Sequence, residues 1–470
     1  MGSEATTLGE FIDATGGSVQ TGPFGTKLKA SEYTEAGVPV ISVGEVGFGR
    51  IRLHEKTPKV DSTVWERMPE FLLRTDDIVF GRKGAVERNA HIQPDEDGYF
   101  LGSDGIRVRL NSNNCDPRFI SYQFQSAAHK AWMIQNAAGT TMPSLNEGII
   151  RRIPIIVPPL PEQKAIAHIL GTLDDKIELN RQMNATLEAM AQALFKSWFI
   201  DFDPVIDNAL TAGNPIPPEL APRAKVRRLA LANGTANREA AKPFPAAFQQ
   251  TESMGWIPEE WEETSFGEHI NFQTGPAFKS KDFTESGTRL ARGDNVKEGR
   301  FQWGHKSRYW PTVDDSLLKY LLCSGDVLLG MDGSKVGKNR VRVRASDLPC
   351  LLVQRVARLS KKNTICSNFI FLAVNSERFR DYVEVVKTGS AIPHISGGQI
   401  KGLPLILPED NTSAVFSEFE RLASSFFNRT DVIVTESQTL TKLRDSLLPK
   451  LISGELRIPE VEQLTKGAHA

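Results

Sequence analysis

The 470-residue chain has no apolar run approaching the roughly 20 residues that cross a bilayer, which excludes a membrane span. Cysteine is scarce. Cys115, Cys323, Cys350 and Cys366 lack metal-type spacing and follow no signal sequence, so the expectation is reduced thiols in a cytoplasmic protein. An excess of one charge is also missing: a formal net charge of -1 excludes a uniformly basic nucleic-acid binder and makes the distribution of charge the useful quantity.

Catalytic motifs are absent too. The run Gly333-Ser334-Lys335-Val336-Gly337-Lys338-Asn339 looks like a phosphate loop. However, Asp332 stands where the first glycine is needed, and Asn339 replaces the hydroxyl residue that would hold magnesium. It reads better as a basic turn. No Asn-Pro-Pro-aromatic pocket for a flipped adenine occurs, and Asn214-Pro215-Ile216-Pro217 lacks the ring such a pocket requires. There is no zinc-spaced His/Cys cluster and no Gly-x-Ser-x-Gly elbow. These absences predict a binding protein with no catalytic residue, no metal and no cofactor of its own.

What is present is a repetition. Gly139 to Leu145, continuing to Ile153-Pro154-Ile155-Ile156-Val157-Pro158, returns as Gly389 to Ile395 and Leu403-Pro404-Leu405-Ile406-Leu407-Pro408 at an offset of 250 residues. Tyr33 to Gly37 likewise matches Phe283 to Gly287, and Asp77 to Gly81 matches Asp326 to Gly330. A period this long is a duplicated domain, not a solenoid unit. Such a chain suits a target with two similar halves, of which asymmetric DNA is the first to consider.

Charge is unevenly spread. From Arg289 to Arg344 there are twelve Lys/Arg against six Asp/Glu, whereas Leu160 to Asp203 has four basic against seven acidic residues. Phosphates seek local positive charge, so the repeats and not the acidic segment are expected to touch DNA.

Within each repeat, short apolar runs between glycines (Val38 to Val43, Asp77 to Phe80, Ile106 to Leu110, Asp326 to Gly330, Leu351 to Leu359) predict strands. Helical spacing predicts one helix from Pro117 to about Gln135 and one from about Ser367 to Lys387. After Pro161 the period changes. Ile166, Leu170, Leu173, Ile177, Asn180, Asn184, Leu187, Ala191, Leu194 and Trp198 follow by steps of four and three, the a/d seam of a coiled coil. Buried Asn180 and Asn184 would penalise wrong registers. The second copy offers Phe419, Leu422, Phe426, Ile433, Leu440, Leu443, Leu447 and Leu451, with polar breaks at Arg429 and Glu436, and Pro449 is expected to distort its last turn.

The fold expected is α+β: two mixed, strand-rich domains and a pair of long antiparallel coiled-coil helices. The divisions are residues 1–157 for the first domain, 158–203 for the first helix, 204–254 for a linker, 255–407 for the second domain, 408–458 for the second helix and 459–470 for a tail. The linker is expected to hold at most one helix, with its basic run Arg223, Lys225, Arg227 and Arg228 solvated.

Several segments together carry a family resemblance. They are Thr21 to Thr26, Gly37 to Ile41, Phe80-Gly81-Arg82-Lys83-Gly84, Pro159-Leu160-Pro161-Glu162-Gln163, Gly255-Trp256-Ile257-Pro258-Glu259 and the closing Leu447 to Leu456. In this order, and twice over, they resemble the specificity subunit of type I restriction-modification systems. The resemblance implies that each repeat is a target-recognition domain reading one half of a bipartite site in double-stranded DNA, that the paired helices hold the halves apart, and that the subunit performs no catalysis. Its implied partners are two methyltransferase subunits, which bind S-adenosylmethionine, and motor-nuclease (restriction) subunits using ATP and magnesium. Two departures stand out: the first repeat lacks the Trp-Ile-Pro-Glu lead-in, and Pro408-Glu409-Asp410-Asn411 replaces the Pro-Leu-Pro-Glu-Gln helix start.

Candidate DNA contacts are Gly-flanked basic loops, where backbone can approach phosphate closely. In the first repeat these are Lys27, Lys29, Arg82, Lys83 and Arg88, with the hydroxyls of Thr140, Thr141 and Ser144. In the second they are Lys279, Arg289, Arg292, Lys335, Lys338 and Arg340, with Ser390 and His394. Two other functions stay open from sequence: the recognition fragment of a fused methyltransferase-nuclease, and a coiled-coil tether that binds proteins instead of DNA.

Overall fold

In the first repeat the apolar runs between glycines pair as strands. Gly17–Thr21, Gly105–Leu110, Ile78–Gly81, Asn89–His91 and Phe48–Gly49 lie side by side in that order, antiparallel except for the last pair. Ile78, Val79 and Phe80 are all fully buried, so this strand has no solvent face and its sequence does not alternate. A second sheet sets Val38–Ile41 between Lys59–Val60, antiparallel, and Phe100–Leu101, parallel.

The second repeat builds a corresponding pair of sheets, the larger with four strands instead of five. Ile270–Thr274, Val356–Lys361, Val327–Gly330 and Arg340–Arg342 form the larger, while Tyr309–Trp310, Thr288–Ala291 and Cys350–Leu352 form the smaller. Each repeat is closed by a clasp of its own ends. Glu4–Thr7 pairs with Pro154–Val157, and Trp261–Ser265 pairs with Pro404–Pro408, both antiparallel.

The structure, a computed structural model, describes residues 4–25, 27–139, 141–304, 306–362, 365–389, 391–409 and 414–456. The chain divides into two units, Met1–Leu179 with Ser437–Ala470, and Asn180–Glu436. Each unit therefore holds one repeat and a stretch of both long helices, a division that cuts across the domain boundaries expected from sequence.

The helix expected over Pro117 to Gln135 is two helices, Pro117–Gln125 and Ala127–Asn136. Ser126 ends the first in an extended conformation (φ -66, ψ 153), and its hydroxyl accepts from the His129 amide. A serine at an N-cap satisfies an amide that would otherwise lack a partner, which favours the break. Ser376 does the same in the second repeat, dividing Ser367–Asn375 from Glu377–Val386.

The two long helices, Leu160–Phe199 and Ala414–Ser453, have 40 residues each. In the first unit Ile166, Leu170 and Leu173 share a core with Leu447, Leu448 and Leu451, with Leu440 and Leu443 against it. In the second, Ala191, Phe195 and Trp198 pack with Phe416, Phe419, Ala423 and Phe427, and partly buried Leu194, Leu422 and Phe426 lie against them. The pairing is antiparallel. Leu187, Asn184 and Ile177 are half-buried, whereas Asn180 is 1% exposed and Ile433 equally enclosed.

The seam of the second helix differs from expectation at two positions. Ala423 and Thr430 are buried while Arg429 is exposed, so the sequence of contacts runs Phe419, Ala423, Phe426, Thr430, Ile433. Leu422 and Arg429 stand one residue off. Small and polar residues at these positions give no hydrophobic signal to read. The helix continues through Pro449: buried Leu447, Leu448 and Leu451 hold its last turn until Gly454, whose φ of +73 ends it.

The linker is a folded element of the second unit. Asp203–Ala212, Ala221–Ala232 and Arg238–Ala241 are helices, followed by a hairpin of Phe248–Thr251 with Gly255–Pro258. Its basic run is not simply solvated. Arg223 grips buried Asp203 through two 2.6 Å bonds, and Arg227 grips buried Asp207. An unpaired buried carboxylate costs several kcal/mol, so these arginines are what allow the acids to be enclosed.

Candidate nucleic-acid interface

The duplicated Gly-Thr-Thr-Met-Pro-Ser loop is held by backbone bonds. Ala138 and Ser144 exchange amide-to-carbonyl bonds of 2.9 and 2.7 Å, which join the two sides of the loop. It is tied to the Phe80 to Gly84 loop: the Leu145 amide donates to the Arg82 carbonyl and the Gly84 amide to the Pro143 carbonyl, both at 2.8 Å. The second repeat reproduces all four bonds, between Thr388 and His394, from Ile395 to Met331, and from Gly333 to Pro393. Gly139 and Gly389, at φ of +91 and +85, start the turns, and a Cβ there would meet the Met142 and Ile392 carbonyl oxygens at 2.8 and 2.5 Å.

These bonds bring Arg82, Lys83 and Ser144 together beside an exposed tip carrying Thr141 and Met142. The Arg82 guanidinium lies 5.0 Å from the centre of the exposed Phe24 ring and donates to the Ser103 carbonyl at 3.2 Å. Lys83 pairs with Asp104 at 3.3 Å. Arg88 and Lys130 flank the exposed ring of Phe48. Lys27 lies over Phe71, and Lys29 presents an exposed side chain while its amide donates to Glu32. Thr140 and Ser390 lie outside the described residues.

In the second repeat, His394 of the tip faces Asp332 of the neighbouring loop, and Asp332 also pairs with Arg355 at 3.1 Å. Lys335 pairs with Glu298 at 2.8 Å, while Lys338 and Lys279 are exposed. Arg292 pairs with Asp294 and lies over Phe283. Arg289 is committed inward, donating to the Ser346 and Leu348 carbonyls beneath Trp303.

Arg340 is a correction. It is 6% exposed, bonded to Asn375 and to the Lys338 carbonyl, and burial pushes its pKa down to about 10. This guanidinium is a staple of the fold, not a side chain reaching for phosphate. Arg342 and Arg344 are likewise used internally, both on Asp431 of the second long helix. Much of the basic excess read from sequence is thus spent on tertiary contacts. The acidic run of the first helix is similarly engaged: in the first unit Asp174 takes Arg444 and Tyr122, Asp175 takes Arg50 and Arg118, and Glu178 takes Arg52.

Arg355 was not among the residues selected from sequence. It stands outside the glycine-flanked runs, and only alignment of the two repeats reveals it. The Arg82 amide donates to the Asp104 carbonyl, and the Met331 amide to the Arg355 carbonyl, which makes 104 and 355 equivalent positions.

Among the described residues no group of His, Cys, Asp or Glu is placed to hold a metal, and no helix is long and apolar enough to cross a membrane. Burial raises the thiols of Cys115 and Cys350 to about 12, which leaves them unreactive.

Residues 7–189 match the type I restriction modification DNA specificity domain family. The chain is 26% identical over 379 residues to the type I restriction enzyme MjaVIII specificity subunit of Methanocaldococcus jannaschii, covering 76% of each. It is 24% identical over 407 residues to the HindI specificity subunit of Haemophilus influenzae, covering 78% of this chain and 84% of that one. The crystal structure of a type I restriction-modification S subunit from M. genitalium superposes with a TM-score of 0.52 at 15% identity, covering 96% of both chains, a likeness of fold. With the matched domain in the first repeat and its sheets and loop bonds recurring in the second, the chain is similar along most of its length to the specificity subunits of type I restriction-modification systems.

Proposed function

We propose that this protein reads a bipartite sequence in double-stranded DNA, one half with each repeat, and supplies recognition to methyltransferase and restriction subunits that carry out the chemistry. The observation behind this is the duplicated loop pair: four matching backbone bonds hold an exposed tip, Thr141 and Met142 in one repeat and Ala391 and Ile392 in the other, against a loop that carries charged side chains. A backbone held in this way suits reading a groove, since a mobile loop would lose ordering entropy on binding. The cations around each tip position the protein on phosphate, and the groups at the tip itself are the candidates for base edges.

In this proposal Lys27, Lys29, Arg82, Lys83, Arg88, Thr141 and Ser144 serve the first half-site, and Lys279, Arg292, Lys335, Lys338 and His394 the second. S-adenosylmethionine, ATP and magnesium belong to the partner subunits, and this chain contributes no nucleophile. The paired helices, continuous from one unit to the other, set the distance between half-sites.

The test is to express the chain with its cognate methyltransferase in a host without other adenine methylation and to sequence the methylome. A methylated motif of two short specific blocks around a nonspecific spacer, lost when this chain is omitted, is expected. Methylation that does not depend on the chain, or a single undivided motif, overturns the proposal.

A further inference from the structure

The two repeats carry one ion pair in opposite polarity. In the first, Lys83 is on the loop facing Ser144 and Asp104 precedes the Gly105–Leu110 strand; in the second, Asp332 is on the loop facing His394 and Arg355 precedes the Val356–Lys361 strand. The backbone bonds that fix these positions are the same. Only the side chains have exchanged sign.

The exchange changes what is presented to solvent. Arg355 is 72% exposed at its side chain and Asp332 only 20%, so in the second repeat the carboxylate is tucked in and orients the guanidinium outward. Its Nη1 donates to Asp332 Oδ2 at 3.1 Å, which leaves most of the five N–H donors of the fork directed away from the protein. The first repeat instead shows an ammonium, a point charge without a planar fork.

We propose that Arg355, oriented by Asp332, is a base-reading residue of the second repeat that selects guanine through its O6 and N7 acceptors. This rests on the DNA-reading function proposed above. The ion pair argues for a base: Asp332 takes one N–H and fixes the direction of the fork, which a base edge requires and a phosphate does not. Directional donors survive the pairing. A bidentate arginine on guanine is the commonest specific contact in the major groove, whereas lysine cannot reproduce the fork.

The backbone makes the test clean. Arg355 has a φ of +64, a conformation that glycine adopts without cost, so Arg355→Gly removes the fork while relieving strain. The full chain with its methyltransferase subunits, as wild type, Arg355→Gly, Arg355→Lys and Asp332→Asn, is assayed by methylome sequencing and by competition binding to duplexes varied at each half-site position. The expected result for Arg355→Gly is loss of preference for guanine at one position of the second half-site. Discrimination there falls on the order of tenfold or more, with the first half-site, the melting temperature and the salt dependence of binding unchanged. Arg355→Lys and Asp332→Asn should each relax the same position.

An unchanged motif with a salt slope reduced by about one makes Arg355 a phosphate contact and overturns the assignment. An unchanged motif and slope does so as well. If methylation is lost altogether from an assembled, folded complex, competition binding decides, and equal weakening against every base variant again overturns it. Failure of the wider DNA-reading proposal is seen separately, as a wild-type complex whose methylation does not depend on this chain.

Discussion

Asn180 donates its side-chain amide to the Glu436 carboxylate at 3.0 Å, joining the two long helices of the second unit at a position where Asn180 is 1% exposed. A buried amide costs stability unless partnered, and here only one alignment of the helices supplies the partner. Asn180→Leu is therefore expected to lower stability by about 1 to 2 kcal/mol, because it leaves a carboxylate without this donor. Asn180→Leu/Glu436→Leu should cost less than the sum of the two single changes. Chemical denaturation of the four variants of this cycle measures it, and simple additivity would mean the bond does not couple the helices.

Charge at the two loop pairs should act on separate half-sites. Alanine at Arg82 and Lys83 is expected to weaken binding through the first half-site alone, and alanine at Lys335 and Lys338 through the second. The loss should be about 1 to 3 kcal/mol wherever a bidentate base contact is removed. For two pure phosphate contacts the motif stays and the salt slope falls by about two. Titrations at several salt concentrations against duplexes altered in one half separate these outcomes.

Arg340→Met should damage the fold and spare specificity. Removing the guanidinium leaves Asn375 and the Lys338 carbonyl without their donors in a buried place, at a cost of about 2 to 4 kcal/mol. A lower melting temperature with an unchanged methylated motif is the expected combination. A changed motif in a protein of unchanged stability would return Arg340 to the DNA-contacting set.

Acid should weaken both repeats. His129 is held below its ordinary pKa by burial, with Nε2 donating to the Pro154 carbonyl at 2.7 Å, and burial also lowers His269, which lies 3.0 Å from the Thr264 hydroxyl. Both folded pKa values are depressed, so the unfolded chain binds more protons. The stability these neutral rings confer is present above the unfolded value of about 6.5 and is lost as pH falls below it. Melting temperatures from pH 7.5 to 5.5 should fall more steeply for the wild type than for His129→Gln/His269→Gln, a comparison in which the unaltered carboxylates cancel.

Spacing is the remaining test of the helices. Four residues inserted between Leu179 and Asn180, and four between Glu436 and Ser437, lengthen both helices at the point where the two units divide. The addition is roughly 6 Å at about 1.5 Å per residue, or about two base pairs. It turns one end by about 40°, against about 70° for the added DNA, a difference that twisting of the duplex can absorb. The methylated motif should keep both specific blocks and gain about two base pairs of spacer. An unchanged spacer with full activity would mean that the helices are not the ruler.

How far the sequence could be read depended on whether each feature leaves a hydrophobic or periodic trace. The repeat, the buried strand Ile78 to Gly81 and the large seam residues Ile166, Leu170, Phe419 and Ile433 all do. Ala423 and Thr430 complete the seam without one, because a residue filling a narrow gap need be neither large nor apolar. Ser126 and Ser376 break helices whose apolar spacing continues past them, so periodicity merges two helices into one. Arg223, Arg227, Arg340, Arg342 and Arg344 counted as surface charge, since sequence does not show which carboxylate or carbonyl will enclose a guanidinium. Arg355 escaped for the converse reason: its position matters through equivalence with an aspartate, and a search for conserved sign passes over it.

The clasp that closes each repeat has a consequence for how such a chain can change. With Glu4–Thr7 against Pro154–Val157 and Trp261–Ser265 against Pro404–Pro408, the polypeptide arrives at and departs from each repeat along one pair of adjacent strands. A body whose ends are neighbours can be cut out and replaced by another of the same outline while the rest of the chain keeps its course. Recombination with crossovers in those two strands would therefore exchange one whole reader as a cassette, giving a new specificity in a single genetic event and leaving the seam between the helices untouched.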